Sequence, residues 1–373
     1  MRSSGRVVAV DLARGLALAG MMLSHLGPVQ IGDVAPINDI VSTGRAAPLF
    51  ALLAGVSLTL VQHRDPRGAG SLRATLVRGL LLVLLGLSLG SLRDMPVLII
   101  LAVYGVLLVS ALPLRGLSTR TLVVLTGAWA VLAPAGLLVL RIHHDPGFSE
   151  QPSWSDVQDP WRLISTMLFW GGYPAVVWMA YLLAGLIIGR LDLADRVTAA
   201  RLAVGGAVAV VATLSVAWLH DRDWAALFDR DTYPYEPATW NDLWVVGPHT
   251  SMPLNVIGAI GSAALVIGLA GLVVRSAMAR RLVTPISAAG AMTLTLYTVH
   301  VLWTWRLRLD SDGVALGSWG GWALQVVVLF AAAALYRQCW RRGPLEQAFR
   351  WLSVDGWLLR RAGRVHPERT RFF

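Results

Sequence analysis

Two basic side chains in the first apolar segment have the types and the spacing of a binding and catalytic pair. Arg14 and His25 are 11 positions apart, so on an α-helix they lie within about 20° on one face, about 16.5 Å apart along the axis. Asp11 precedes Arg14 by three positions and can pair with it. A guanidinium binds phosphate, and imidazole accepts a proton near neutral pH. A ligand entering from the cytosol could have a phosphate at Arg14 and its reactive end near His25, although the spacing alone does not decide this.

Few other ionisable side chains fall in apolar segments, and each has more than one interpretation. A charge at the centre of a transmembrane helix costs about 2.5 to 3.5 kcal/mol, so such groups are candidates for function. Asp11 and Arg14 could instead simply neutralise each other, and His25 could be bonded to a backbone carbonyl at the membrane interface. The other two are Arg45, at the mouth of the second segment, and His300, on the ninth.

The elements that must position these residues are predicted to be transmembrane helices. The chain has 373 residues, 55% apolar and only 14% charged, with one Cys and a mean hydropathy of +0.60. Soluble domains carry about 25% charged residues. This composition excludes a disordered chain, a disulfide scaffold, a collagen and an ordinary cytosolic enzyme. We predict an all-α, polytopic integral membrane protein.

Ten apolar segments reach the length of about 20 residues that a helix needs to cross the hydrocarbon core. We predict about ten transmembrane helices in one domain at 1–337, followed by a basic tail at 338–373 that carries an interfacial amphipathic helix. Neither half shows the matched proline or glycine interruptions that a transporter often has, which counts against a transporter. The segments are 7–27, 44–62, 74–91, 96–112, 121–140, 169–189, 201–219, 251–274, 284–305 and 316–337.

The basic residues predict how the helices are inserted. The net charge is +10, and all 32 basic residues are Arg. With the N-terminus inside, 23 of them fall in inner segments, 8 in outer segments, and Arg14 lies within the first span. Arginine near short loops is retained in the cytoplasm. We therefore predict a multi-pass protein of the cytoplasmic membrane with both termini inside, and no nucleic-acid partner.

Several segments resemble those of membrane-bound acyltransferases. Residues 10–17 read Val-Asp-Leu-Ala-Arg-Gly-Leu-Ala, and ten residues separate their Arg from the next His. This arrangement resembles the first-helix Arg-x10-His signature of the acyltransferase-3 family. Residues 44–58 look like the second-helix block of relatives that include heparan-α-glucosaminide N-acetyltransferase. Residues 294–300 and 343–346 are similar to segments of uncharacterised bacterial members.

The resemblance implies transfer of an acyl group from cytosolic acyl-CoA, most simply acetyl-CoA, to an acceptor on the far side of the membrane. Arg14 would hold the phosphates of CoA, with Asp11 orienting its guanidinium, and His25 would be the catalytic base. In the heparan enzyme's pattern the His comes from the loop after the first helix, whereas the loop at 27–43 has no His here. The match is closer to the acyltransferase-3 arrangement, and a heparan-type acceptor is not implied.

The remaining candidates lie toward the outer side. Arg45 and Asn38 could stabilise negative charge on the thioester carbonyl, or Arg45 could be an interface anchor. Tyr297 and His300, three positions apart on one face, could line the acceptor site, or His300 could be a structural histidine bonded between helices. No His-Glu-x-x-His or similar spacing occurs, so no metal is expected.

The overall prediction is an acyl-CoA-dependent acyltransferase that modifies an extracytoplasmic carbohydrate or glycan. Outer loops at 141–168 and 220–250 combine Trp and Tyr with carboxylates, which could bind a sugar or form an interfacial aromatic belt. The expected partners are the lipid bilayer, acyl-CoA and the acceptor, with a homodimer left open. The alternative is a transporter or flippase for a lipid-linked or anionic small molecule, because intramembrane charges also mark translocation paths.

Overall fold

The computed structural model describes residues 2–28, 42–64, 69–144, 151–222, 238–310 and 318–355. These residues form helices and no β-strand, which confirms the all-α class. The bundle consists of α1 (Arg2–Leu26), α2 (Ala46–Arg64), α3 (Ala69–Gly90), α4 (Leu101–Ser110), α5 (Thr119–His143), α6 (Ala175–Ile188), α7 (Arg196–Asp221), α8 (Pro253–Val273), α9 (Thr284–Gly290), α10 (Thr293–Asp310), α11 (Trp319–Cys339) and α12 (Pro344–Arg350).

Each of the ten predicted segments contains a helix, but the helices differ in length. Among the described residues, six helices are long and apolar enough to cross a membrane, or eight if each of two bent pairs is one span. The apolar helices α2 and α4 are shorter. The ten residues of α4 rise about 15 Å, about half of the hydrocarbon thickness. The segment predicted at 96–112 therefore differs from the structure, in which 96–100 are not helical.

Two pairs of helical stretches are sharply bent. The helical stretch Pro160–Trp170 meets α6 at 55°, and α9 meets α10 at 86°. The first bend follows a π-helical turn at Thr166–Trp170 and includes Pro174, which has no N–H to continue a helix. The second bend falls at Ala291 and Met292. Neither of these residues is a helix breaker, so no local pattern predicts the second bend.

α1 lies in the interior of the bundle, in contact with α2, α8, α9, α10 and α11. Its closest approach is to α9, and two glycines permit it. A Cβ on Gly15 would lie 2.1 Å from the backbone oxygen of Ile286, and a Cβ on Gly290 would lie 1.7 Å from that of Asp11. Any side chain at these positions would force the two helices apart. The two glycines thus allow α1 and α9 to pack backbone against backbone.

The outer surfaces of α5, α7 and α11 carry large apolar side chains. Val124 is 72% exposed, Leu132 68%, Val204 64% and Leu335 65%. Exposed apolar surface of this extent is unfavourable in water and favourable against lipid tails. The chain is a multi-pass membrane protein whose lipid-facing surface includes these helices.

The described part of the predicted tail packs on the bundle. α12 contacts α3 and α10, and the turn that follows it, Trp351–Asp355, contacts α3. Residues 356–373 of the predicted tail lie outside the described part of the chain. The beginning of the tail is therefore joined to the transmembrane bundle by direct contacts.

Candidate functional site

His25, near the end of α1, pairs with His300 in the middle of α10. A hydrogen bond of 2.8 Å joins His25 Nδ1 and His300 Nε2. The ring planes are nearly parallel, at 6°, with centroids 5.1 Å apart. His300 is 0% exposed, whereas His25 keeps part of its surface accessible. The sequence makes both histidines candidates, and the structure brings them into direct contact.

Gln325 of α11 extends this pair to a third helix. The Oε1 atom of Gln325 hydrogen-bonds to His300 Nδ1, and the hydroxyl of Thr304 lies 3.5 Å from the same nitrogen. Gln325 is 2% exposed and Thr304 is 0% exposed. Both nitrogens of the His300 ring are therefore occupied by protein groups in a dry interior. We call His25, His300 and Gln325 the histidine end of α1.

The register of α11 against α1 explains why Gln325 points inward. Ser318 donates its backbone N–H to the oxygen of Leu26 at 2.9 Å, and Trp322 donates its indole N–H to the oxygen of Ala19 at 3.1 Å. Residues 318, 322 and 325 are spaced by four and three positions, so they share one helical face. Two hydrogen bonds to α1 therefore turn the face that carries Gln325 toward the histidines.

Glu346 of α12 fixes the start of α10, the helix that carries His300. Its Oε1 accepts the backbone N–H of Leu294 at 2.7 Å and that of Thr295 at 3.1 Å, and its Oε2 accepts the Thr295 hydroxyl at 2.6 Å. The first N–H groups of a helix have no partner within the helix, and a carboxylate there also interacts favourably with the helix dipole. A Cβ on Gly343 would lie 2.2 Å from Glu346 Oε2, so only glycine leaves room for this contact.

At the other end of the predicted stripe, Arg14 makes the expected pair with Asp11. Their side chains are 3.1 Å apart, with 28% and 18% of their surfaces exposed. Arg14 Nη2 also donates to the hydroxyl of Ser57 on α2 at 2.5 Å. A guanidinium has five N–H donors, so donors remain for a ligand. We call Asp11, Arg14 and Ser57 the arginine end of α1.

Arg45 has no described hydrogen bond to the histidine end. It precedes α2, and its Nη1 atom lies 3.1 Å from where a Cβ of Gly258 on α8 would be. This Nη1 is buried without a hydrogen-bond partner among the described residues, and the phenol of Tyr181 is within electrostatic range. No described contact joins Arg45 to His25, so its role beside a reacting carbonyl stays a prediction. Asn38 lies outside the described residues.

Tyr297 is buried one turn before His300 on the same face of α10. Its hydroxyl is buried without a hydrogen-bond partner among the described residues. The shared face predicted from the three-residue spacing is present, and His300 on that face is bonded to His25 and Gln325. That these two residues bind the acceptor stays a prediction.

Sequence reasoning missed two residues of the site, and one of them had a signal. Gln325 is a polar side chain within an otherwise apolar stretch of α11, and an intramembrane polar group is a candidate for function in the same way as a charge. Ser57 has no such signal, because a serine within a helix commonly bonds back to its own backbone. Ser57 does so as well, to the oxygen of Leu53 at 2.5 Å.

A family model described as "Protein of unknown function (DUF418)" matches residues 234–355. The match covers about a third of the chain, from α8 to α12. It includes His300, Gln325 and Glu346 and does not include α1. A comparison with curated proteins found no match. The chain is therefore similar to this family over the helices that hold His300 in place.

Proposed function

We propose that the protein is a membrane acyltransferase that moves an acyl group, most simply acetyl, from cytosolic acyl-CoA to an extracytoplasmic carbohydrate or glycan. The observation that carries this proposal is the placement of Arg14 and His25 on one rigid helix. α1 is continuous from Arg2 to Leu26, so their separation of about 16.5 Å along a single face follows from helix geometry. The guanidinium of Arg14 can bind the phosphates of CoA, and the imidazole of His25 can accept the proton.

The arginine end supports the binding step. Arg14 keeps 28% of its side chain exposed, and its contacts with Asp11 and Ser57 orient the guanidinium while leaving N–H donors available. With the N-terminus in the cytoplasm, as the arginine distribution predicts, this end faces the compartment that contains CoA. Acyl-CoA is the co-substrate in this proposal, and no metal takes part.

The histidine end supports the chemical step. His25 removes the proton from the acceptor hydroxyl as its oxygen forms a bond with the acyl carbon, and the bond from that carbon to the sulfur of CoA breaks. The proton then passes from His25 to the leaving thiolate, so an alcohol and a thioester yield an ester and CoA thiol. Asn38 and Arg45 remain candidates to stabilise the charge on the carbonyl oxygen.

Two further points support acyl transfer. The matched family is related to membrane acyltransferase-like proteins. In addition, the two late segments that resemble bacterial members, 294–300 and 343–346, meet in the structure through the hydrogen bonds of Glu346. They form one unit that positions His300, and through it His25. Because the two segments contact each other, their resemblance to bacterial members concerns one structural unit and not two separate stretches of chain.

A transporter or flippase is the second candidate, and the bent helices favour it. Broken helices commonly form the substrate sites of secondary transporters, and the 86° bend between α9 and α10 lies eight positions before His300. Flux of a lipid-linked or anionic tracer across proteoliposomes without CoA would support transport. Flux that requires CoA, or no flux, would favour the enzyme.

The first experiment measures CoA binding by the purified protein in lipid nanodiscs. We expect acetyl-CoA to raise the melting temperature, because a ligand that binds only the folded state stabilises it. Arg14→Gln should remove most of the shift, and Arg120→Gln, which changes an exposed arginine on α5, should not. Transfer of labelled acetyl to an envelope glycan extract then tests the reaction. Absence of both the shift and the transfer would contradict the proposal.

A further inference from the structure

His300 and Gln325 are buried and can affect a reaction indirectly, through their contacts with His25. They are 0% and 2% exposed, and their contacts run from Gln325 through His300 to His25. Only His25 keeps accessible surface in this chain of groups. The ring of His25 is therefore the route by which the two buried residues can affect a reaction without contacting a substrate.

We infer that His300 and Gln325 are positioning residues that hold His25 in the tautomer whose Nε2 is unprotonated and free to accept a proton. The inference rests on the proposed function, in which His25 is the base. It adds residues of two further helices, α10 and α11, to the site that His25 forms on α1. It also assigns the reacting atom, Nε2, because His25 Nδ1 is engaged by His300.

The hydrogen-bond directions follow from the chemistry of each group. Gln325 presents its Oε1 to the ring of His300, and an amide oxygen can only accept. His300 Nδ1 therefore carries the proton. In a neutral imidazole the other nitrogen is then an acceptor, so His300 Nε2 receives the N–H of His25 Nδ1. The remaining nitrogen of His25, Nε2, has a free lone pair.

This arrangement has a functional advantage over an unpaired histidine. A neutral imidazole with its proton on the reacting nitrogen cannot act as a base at that nitrogen. Fixing the tautomer therefore raises the fraction of protein molecules in which His25 Nε2 can accept a proton. The ring orientation is fixed by the same hydrogen bond. Because His300 and Gln325 are neutral in this arrangement, the buried network needs no compensating charge, although Gln325 Nε2 is buried without a hydrogen-bond partner among the described residues. His249 is a further titratable group within electrostatic range of His25.

Substitutions at Gln325 separate positioning from packing. Gln325→Glu keeps oxygen acceptors at the same reach, whereas Gln325→Met keeps the length and volume but removes them. We expect Gln325→Met to lower kcat about tenfold or more, with the CoA-dependent melting shift and the KM for acetyl-CoA unchanged. Gln325→Glu should retain most of the kcat. The control is Gln338→Met, an exposed glutamine on the same helix, which should have no effect.

A direct measurement of the tautomer does not depend on activity. Ring nitrogen NMR shifts of ¹⁵N-histidine-labelled protein, assigned by comparison with His25→Gln, should show the His25 proton on Nδ1 in the wild type and a mixture of tautomers in Gln325→Met. A proton on Nε2 of wild-type His25 at neutral pH would overturn the inference, as would full kcat in Gln325→Met. If His25→Gln is fully active, the proposed base is wrong. If His25→Gln is inactive and Gln325→Met is normal, only the positioning role is wrong.

Discussion

The two ends of α1 use polar groups in opposite ways. The arginine end is formed largely within one helix, where Arg14 pairs with Asp11 three positions away, and both side chains are partly exposed. The histidine end combines three helices, through contacts that span 275 positions between His25 and His300 and 25 positions between His300 and Gln325. One end is charged and partly open, and the other is neutral and mostly buried.

The two ends are suited to different tasks. A partly exposed ion pair contributes about 0 to 1 kcal/mol, so Arg14 can exchange contacts with Asp11 for contacts with an anion at little cost. A buried network loses far more when one partner is removed, because the remaining polar group is left without a hydrogen bond. The arginine end is thus suited to reversible binding, and the histidine end to keeping one ring in a fixed orientation.

The sharpest way to separate the two ends is to remove the base. His25→Gln keeps a hydrogen-bonding side chain of similar size but no imidazole, and we expect acetyl transfer to fall about 100-fold or more. The CoA-dependent melting shift should persist, because the arginine end is intact. His143→Gln, an exposed histidine at the end of α5, is the matched control. Loss of CoA binding in His25→Gln would show that the histidine end also contributes to CoA binding.

The complementary change removes the binding group. Arg14→Gln deletes charge-assisted hydrogen bonds worth about 1.5 to 3 kcal/mol, so the Kd for CoA should rise about 10- to 100-fold. Calorimetry with CoA measures this rise directly. At saturating acetyl-CoA the remaining kcat should stay near the wild-type value. A large loss of kcat at saturation would show that the arginine end also takes part in the chemistry.

A glycine substitution tests whether the arginine end depends on the packing of α1 against α9. Gly290→Ala places a methyl group against the backbone oxygen of Asp11, and overpacking of this kind costs about 1 to 3 kcal/mol. We expect a lower melting temperature and weaker CoA binding. Gly320→Ala on α11 adds its methyl group to open space and should change neither quantity. Unaltered CoA affinity in a destabilised Gly290→Ala protein would show that the arginine end does not depend on the packing of α1 against α9.

The smallest expected effect concerns the start of α10. Glu346→Ala leaves the N–H groups of Leu294 and Thr295 without their acceptor, which costs about 1 kcal/mol and should lower the kcat as the His300 helix loosens. Asp195→Ala is the matched control, because it removes the cap that accepts the N–H of Thr198 on α7, far from the site. Both variants should melt at a lower temperature. Equal kcat in the two would show that Glu346 only stabilises the fold.

Much of the fold could be predicted from the sequence because helices leave strong local signals. The apolar segments were sufficient to locate a helix in each predicted place, and the 11-residue spacing placed Arg14 and His25 on one face of α1. The bend at Ala291 and Met292 could not be predicted, because neither residue disfavours a helix. It arises where α9 meets α1 through Gly290 and where Glu346 starts a new helix at Thr293.

The all-α membrane class, the face shared by Arg14 and His25, and the Asp11–Arg14 pair follow from the sequence, since the period of a helix fixes which residues on it are neighbours. The packing of the helices shows in addition that His25 meets His300 rather than a backbone carbonyl, and that Gln325 contacts His300. The physical reason is that contacts between helices depend on which faces pack together and how closely. The packing depends on residues outside the site, such as Gly290 and Trp322, which have no proposed role in the reaction.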